Sequence, residues 1–301
     1  MRKVIPLLFV LVFLSACTTS WGTSSLISAL EDNETAFDDV SAKFEVKAYS
    51  SLDLTLSKTE LSSIHDDTVR LQSELEELQT YTENRRELVL ALQNAHPDDT
   101  TGQYLEKYTT SLNYYTASYG NYSLGFENSL LFFQFATLDA EYTDLDEKIS
   151  NTWDDFVFNV NNRDFENASL EVDENLAYLS REMDILDEED TLIPFAFTSN
   201  NRDITQIYID YFTAAQVSLA DAHPSVDKLN TDLEDSYNRM NLYVSPTSSE
   251  VGDEVDSWVK PHIYDIFSAA DDSFNDGDRK WEIAQDYYKE DLNKELKFSS
   301  F

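Results

Sequence analysis

One cysteine, six glycines and six prolines are all that 301 residues hold of the amino acids that staple, bend or interrupt a chain. The lone Cys17 excludes a disulfide framework and a thiolate zinc site, since both need several cysteines. So little Gly and Pro excludes a turn-rich all-β protein. Basic residues are also scarce, with 21 Lys and Arg against 58 Asp and Glu and a net charge of −37. Nucleic acid is therefore not an expected partner, because gripping phosphates needs a surplus of cationic groups. What the chain does hold is 42% hydrophobic and 13% aromatic residues, enough to exclude simple disorder.

The N-terminus is the most specific segment. Arg2-Lys3 precedes an apolar run from Val4 to Leu14, which ends in Ser15-Ala16-Cys17. Basic, then apolar, then small is the order of a secretory signal peptide. Eleven residues of helix reach roughly 16 Å, about half the hydrocarbon thickness of a bilayer. Leu14-Ser15-Ala16-Cys17 resembles the lipobox of prokaryotic lipoproteins, a likeness confined to the first twenty or so residues. It implies a diacylglyceryl thioether on Cys17 and cleavage between Ala16 and Cys17. On this reading residues 1–16 are a signal peptide, residues 17–23 a tether, and the protein is extracytoplasmic, held to the membrane through the lipid on Cys17.

The remainder predicts an all-α fold of elongated helical bundles. No Gly or Pro lies between Gly22 and Pro97 or between Gly125 and Pro194. Apolar residues recur at helical spacing, as in Leu61, Leu71, Leu75, Leu78, Val89 and Leu92, a seam interrupted by Thr68, Thr82 and Arg85. Phe44 to Leu56 alternates as a strand would, but a lone strand leaves ladder groups unpaired, so helix is expected there too. Turns are expected at Pro97–Gly102, Gly120–Gly125, Pro194–Asn201, Pro224 and Pro246–Gly252. Pro261 should kink or start a helix.

A faint duplication suggests the domain plan. Ala95-His96-Pro97 recurs as Ala222-His223-Pro224, with Leu92 and Leu219, and Phe37 and Phe165, at matching distances. Two bundles, 24–150 and 151–262, are expected, with a hairpin over 263–301 closing the second. The segment Asn161–Ala168 resembles the turn of a tetratricopeptide-type helical hairpin over about thirty residues, without that family's repeat period.

No catalytic constellation stands out. The four histidines lack the i, i+4 pairing of a zincin helix. His96 and His223 sit at expected helix ends, where an imidazole suits the terminal carbonyls. Asp271–Asp278 fails as a calcium loop, because Phe274 and Ile283 stand where oxygen ligands belong, and is expected to be an acidic hairpin turn. Pairs and runs such as Asp38-Asp39 and Glu188-Glu189-Asp190 read as solvated faces or helix N-termini. Tyr104, Tyr108, Tyr115 and Tyr119 share a face and should be core, leaving Tyr114 and Tyr122 as a candidate binding surface. No cofactor or metal site is expected. The favoured function is a binding or scaffold module for a protein, peptide or cell-envelope component. The alternative is a cation-dependent protein or hydrolase using carboxylate pairs with His96 or His223.

Overall fold

The structure is a computed structural model that describes residues 23–44, 52–95 and 99–287. Those residues form an all-α fold with no strand among them. The helices are α1 (Thr23–Ser41), α2 (Lys58–Ala95), α3 (Asp99–Asn161), α4 (Phe165–Leu192) and α5 (Ala196–Leu219). They continue with α6 (Val226–Leu242), α7 (Ser248–Val259), a π-helical turn (Lys260–Tyr264) and α8 (Asp265–Tyr287).

Local chemistry sets the ends. Ser57 and Glu60 cap α2 reciprocally: the Ser57 N–H donates to the Glu60 carboxylate (2.9 Å) and the Glu60 N–H to Ser57 Oγ (3.3 Å). Thr247 and Glu250 do the same for α7. Each closes orphan N–H groups that would otherwise cost about 1 kcal/mol. Between α3 and α4 the chain reverses through Arg163, whose φ of 59° is left-handed. The Arg163 N–H donates to the Val160 carbonyl and that of Asp164 to Asn159, the Schellman pattern of a helix C-terminus. Pro261 sits in the π turn, where the wider ring accommodates its missing N–H. Pro194, Pro224 and Pro246 mark the joints before α5, α6 and α7, as expected.

The chain forms two compact units, each built from separated segments. Unit 1 takes its described residues from 1–47, 69–126 and 265–301. In it α3 and α8 run antiparallel and close, because Ser111, Ser118 and Gly125 on one helix and Ala270 and Gly277 on the other recur at seven-residue spacing. Ser111 Oγ donates to the Gly277 carbonyl (2.9 Å) and Ser118 Oγ to that of Ala270 (2.8 Å). A Cβ on Gly277 would stand 2.8 Å from the Tyr115 ring, and one on Gly125 2.7 Å from Phe267. An apolar cluster including Leu30, Val89, Leu105, Tyr108 and Trp281 fills the same unit.

Unit 2 comprises 48–68 and 127–264. There α4 packs on α5 and α5 on α6, around Phe156, Val172, Leu179, Phe212, Ala215 and Leu229. The Glu254 carboxylate of α7 accepts the Ala196 and Phe197 N–H groups and so caps α5, which has no side-chain cap of its own.

Several expectations are corrected. The expected break between 150 and 151 falls inside α3, because Gly120 and Gly125 are helix-interior residues and Gly125 serves close packing rather than a turn. The segment from 265 belongs to unit 1 rather than closing the second bundle, and Asp271–Asp278 is helix, not a hairpin. Phe37 is buried within α1 while Phe165 opens α4 half-exposed, so the duplication is coincidental. Residues 52–57 are neither helix nor strand: Asp53 folds them by accepting the Thr55 N–H (2.8 Å), and Leu52 donates to the Tyr264 hydroxyl (2.7 Å).

Candidate functional site

Most of the residues expected to mark function fall elsewhere. Ala16, Cys17 and His96 lie outside the described residues, as does the side chain of Tyr104. His223 is exposed; its N–H donates to Asp221, and the end of α5 is closed by Ala220 instead. Tyr108, Tyr115 and Tyr119 are core, as expected. Tyr114 is half-buried, but Tyr122 is not a surface residue: it is 4% exposed, its hydroxyl donates to Asp271, and its ring lies edge-on to Phe44. No group of three metal-ligating side chains occurs among the described residues, and no described helix is long and apolar enough to cross a membrane.

Two of the concavities in unit 2 have no lining residue in common. The larger, about 960 Å³, has an apolar floor of Leu61, Phe133, Leu138 and Leu192. Lys58 and His65 of α2 and Asp187 and Glu188 of α4 also line it. Each charged group has a partner already: Lys58 holds Asp144, Asp187 holds Arg202 (2.6 Å), and Glu188 lies 3.6 Å from Arg181.

The smaller cleft, about 530 Å³, is lined by three carboxylates, Asp53, Asp139 and Asp256, with Tyr142, Asn201 and Thr143. Behind it three helices place polar side chains two turns apart: Asp139 and Asp146 on α3, Glu182 and Glu189 on α4, Thr198 and Thr205 on α5. Their antiparallel order makes two layers. In one, Asp146 acts on Glu182, which accepts from the Thr205 hydroxyl (3.3 Å). In the other, Asp139 acts on Glu189, with the Thr198 hydroxyl alongside but short of ordinary hydrogen-bond geometry. Tyr142 feels Glu182, Asp146 and Glu189.

Burial decides the chemistry. Glu182 is 2% and Glu189 1% exposed, and each leaves its Oε1 without a partner. Desolvation, and then the neighbouring aspartate, pushes both carboxyls up to about 8. Desolvation alone carries Asp139 to about 6. No basic side chain is among the groups acting on either glutamate. The sequence had marked Glu188-Glu189-Asp190 as solvated. That is corrected for Glu189, whose heptad spacing from Glu182, matched by 139/146 and 198/205, was the missed signal.

Unit 1 buries a charge of the other sign. Arg85, 0% exposed, lies between the faces of Phe37 (4.5 Å) and Trp281 (3.9 Å), and its Nε donates to Asn33 (3.0 Å). Glu34, bonded by the Tyr108 hydroxyl (3.1 Å), and Asp38 and Asp278 lie within its field.

No protein family matches the sequence, and no curated protein or solved structure matches it.

Proposed function

We propose that this chain is a lipid-anchored extracytoplasmic binding protein whose larger groove takes a basic, apolar-faced segment of a partner protein. The groove carries the binding half of the reading: an apolar lining of this size suits the apolar face of an amphipathic helix. Its rim charges are already paired, so the field of a chain at −37 sets the sign of the occupant. The anchoring half rests on Leu14-Ser15-Ala16-Cys17. Two acyl chains hold a protein stably where one does not.

The two halves are tested separately. Cys17→Ser should move the protein from the membrane to the soluble fraction; equal retention removes the anchor. A Lys/Leu helical peptide should bind the full chain more tightly than its scrambled isomer. Leu138→Asp and Leu192→Asp, at half-buried floor positions, should weaken it at least tenfold. Equal binding of the scrambled peptide would show attraction by charge alone and end the groove assignment.

A further inference from the structure

We propose that unit 1 meets a lipid surface through one face, made by the first turns of α1 and the last turns of α2. On that face Leu90 enters the headgroup layer of the membrane that holds Cys17. The placement rests on the lipid anchor proposed above and says which part of the fold the anchor brings against lipid.

Chain length comes first. α1 begins at Thr23, six residues after Cys17. Even fully extended, six residues reach about 20 Å. A lipidated Cys17 therefore keeps the start of α1 within that distance of the headgroups. One apolar cluster fixes what lies beside it: Leu26 in the first turn of α1 meets Leu92 in the last turn of α2. Further along, Asn33 donates to the Tyr81 carbonyl (3.1 Å), so the two helices run antiparallel and the start of one lies beside the end of the other.

Charge then singles the face out. From Cys17 to Leu30, and again from Leu88 to Ala95, the chain carries no charged residue, although 26% of the whole is charged. Asp98, Asp99, Glu282 and Asp286, the acids nearest this end, belong to the link after α2, to α3 and to α8. An anionic lipid surface repels carboxylates over roughly 8 Å at physiological salt, and a neutral face approaches it without that repulsion.

The exposed side chains suit an interface. Ser25 and Ser28 of α1 and Gln93 and Asn94 of α2 are exposed and uncharged. Leu90 shares a helix face with Gln93 and Asn94, three and four residues on, and is 49% exposed. It stands about 8 Å along α2 from the last residue of that helix. A leucine among hydroxyls and amides is suited to the headgroup layer, where apolar groups enter lipid and polar ones keep water. Val69 supplies the contrast within the same helix. It is 48% exposed, three heptads earlier and roughly 30 Å away, with Asp66 one turn before it.

The test is nitroxide quenching of a fluorescent label on the lipidated full chain, in phosphatidylcholine vesicles with and without phosphatidylglycerol. Leu90→Cys and Val69→Cys provide the labelling sites, Cys17 being blocked by its lipid, and vesicle flotation reads the anchor separately. A headgroup nitroxide should quench the Leu90→Cys label at least twofold more than the Val69→Cys label. A label at Ser28→Cys should behave as that at Leu90→Cys. Gln93→Asp with Asn94→Asp should at least halve quenching at Ser28→Cys when phosphatidylglycerol is present, with flotation unchanged. Flotation with equal quenching at positions 69 and 90, with none at 90, or with undiminished quenching in the aspartate variant would overturn the placement and leave the anchor standing. A chain that fails to float with Cys17 intact would remove the anchor, and the placement with it.

Discussion

The two units bury charge of opposite sign and resolve it differently. Unit 1 encloses Arg85 in a cage of rings and surrounds it with Glu34, Asp38 and Asp278, so the buried cation and its neighbouring carboxyls offset one another within the fold. Unit 2 encloses Glu182 and Glu189 with no basic side chain among the groups that act on them, and burial holds both towards the protonated form. Desolvation is the largest influence in both places, lowering Arg85 and raising the glutamates. The difference lies in the neighbours.

Removing the charge on each side should separate these roles most sharply. Arg85→Ala empties the space between Phe37 and Trp281 and strips three acidic neighbours of their counter-charge. We expect a loss of about 3–5 kcal/mol in urea unfolding, and a smaller one for Arg85→Met, which keeps most of the volume. Glu182→Gln with Glu189→Gln at pH 8 should cost nothing or stabilise, because each glutamine keeps an acceptor oxygen, as for the Thr205 hydroxyl, and removes the cost of ionising a buried carboxyl. Comparable losses in the two units would erase the contrast.

The second expectation is a pH dependence of distinctive sign. Glu182 and Glu189 lie at about 8 when folded against an ordinary 4.5, so the folded state holds protons that the unfolded chain releases. Their contribution is fully present below the unfolded value and is lost as pH rises through the folded one. Glu34 and Asp38, also raised by burial, act in the same direction. Between pH 5 and 9 stability should fall by several kcal/mol, on the order of one per pH unit for each glutamate at the steepest. The double glutamine variant should flatten most of that slope. A profile rising with pH would contradict the burial of the two glutamates.

Fold class was legible from the sequence because helical periodicity and scarce breakers point one way, and Tyr108, Tyr115 and Tyr119 fell on the face that proved to be core. Unit boundaries were not, since each unit gathers segments that local pattern cannot join. Arg85 registered only as an interruption of an apolar seam, because a period records positions and not the rings that will meet there. Glu189 was hidden in an acidic run by its exposed neighbours. Gly125 and Gly277 looked like turns, although a glycine's other use is to let two helices approach.

That use gives the third expectation, now for packing rather than charge. The Tyr115 ring that a Cβ on Gly277 would strike is held by Phe37 and Phe274 at 5.2 Å and by its hydrogen bond to Asp278 (2.5 Å), so it cannot swing aside. Gly277→Ala should therefore cost about 1–3 kcal/mol and loosen α8, read as faster amide exchange along that helix. Wild-type exchange there would mean that α3 and α8 lie farther apart than described.

The smallest effect should have the opposite sign and occur in unit 2. Gly252 lies in the interior of α7, five residues after its cap Thr247, and a Cβ there would meet nothing within 4 Å. Nothing in its surroundings requires a glycine. Gly252→Ala removes backbone freedom from the unfolded chain and adds a better helix former at no steric cost, so it should stabilise by about 0.5–1 kcal/mol. The readout is the urea midpoint at constant slope. Since Glu254, two residues on, caps α5, the gain should also slow exchange of the Ala196 and Phe197 amides. Paired with Gly277→Ala, the same chemical change would then raise stability in one unit and lower it in the other, which only the difference in what faces each glycine can produce. A loss at Gly252 would mean that α7 carries a contact on that face.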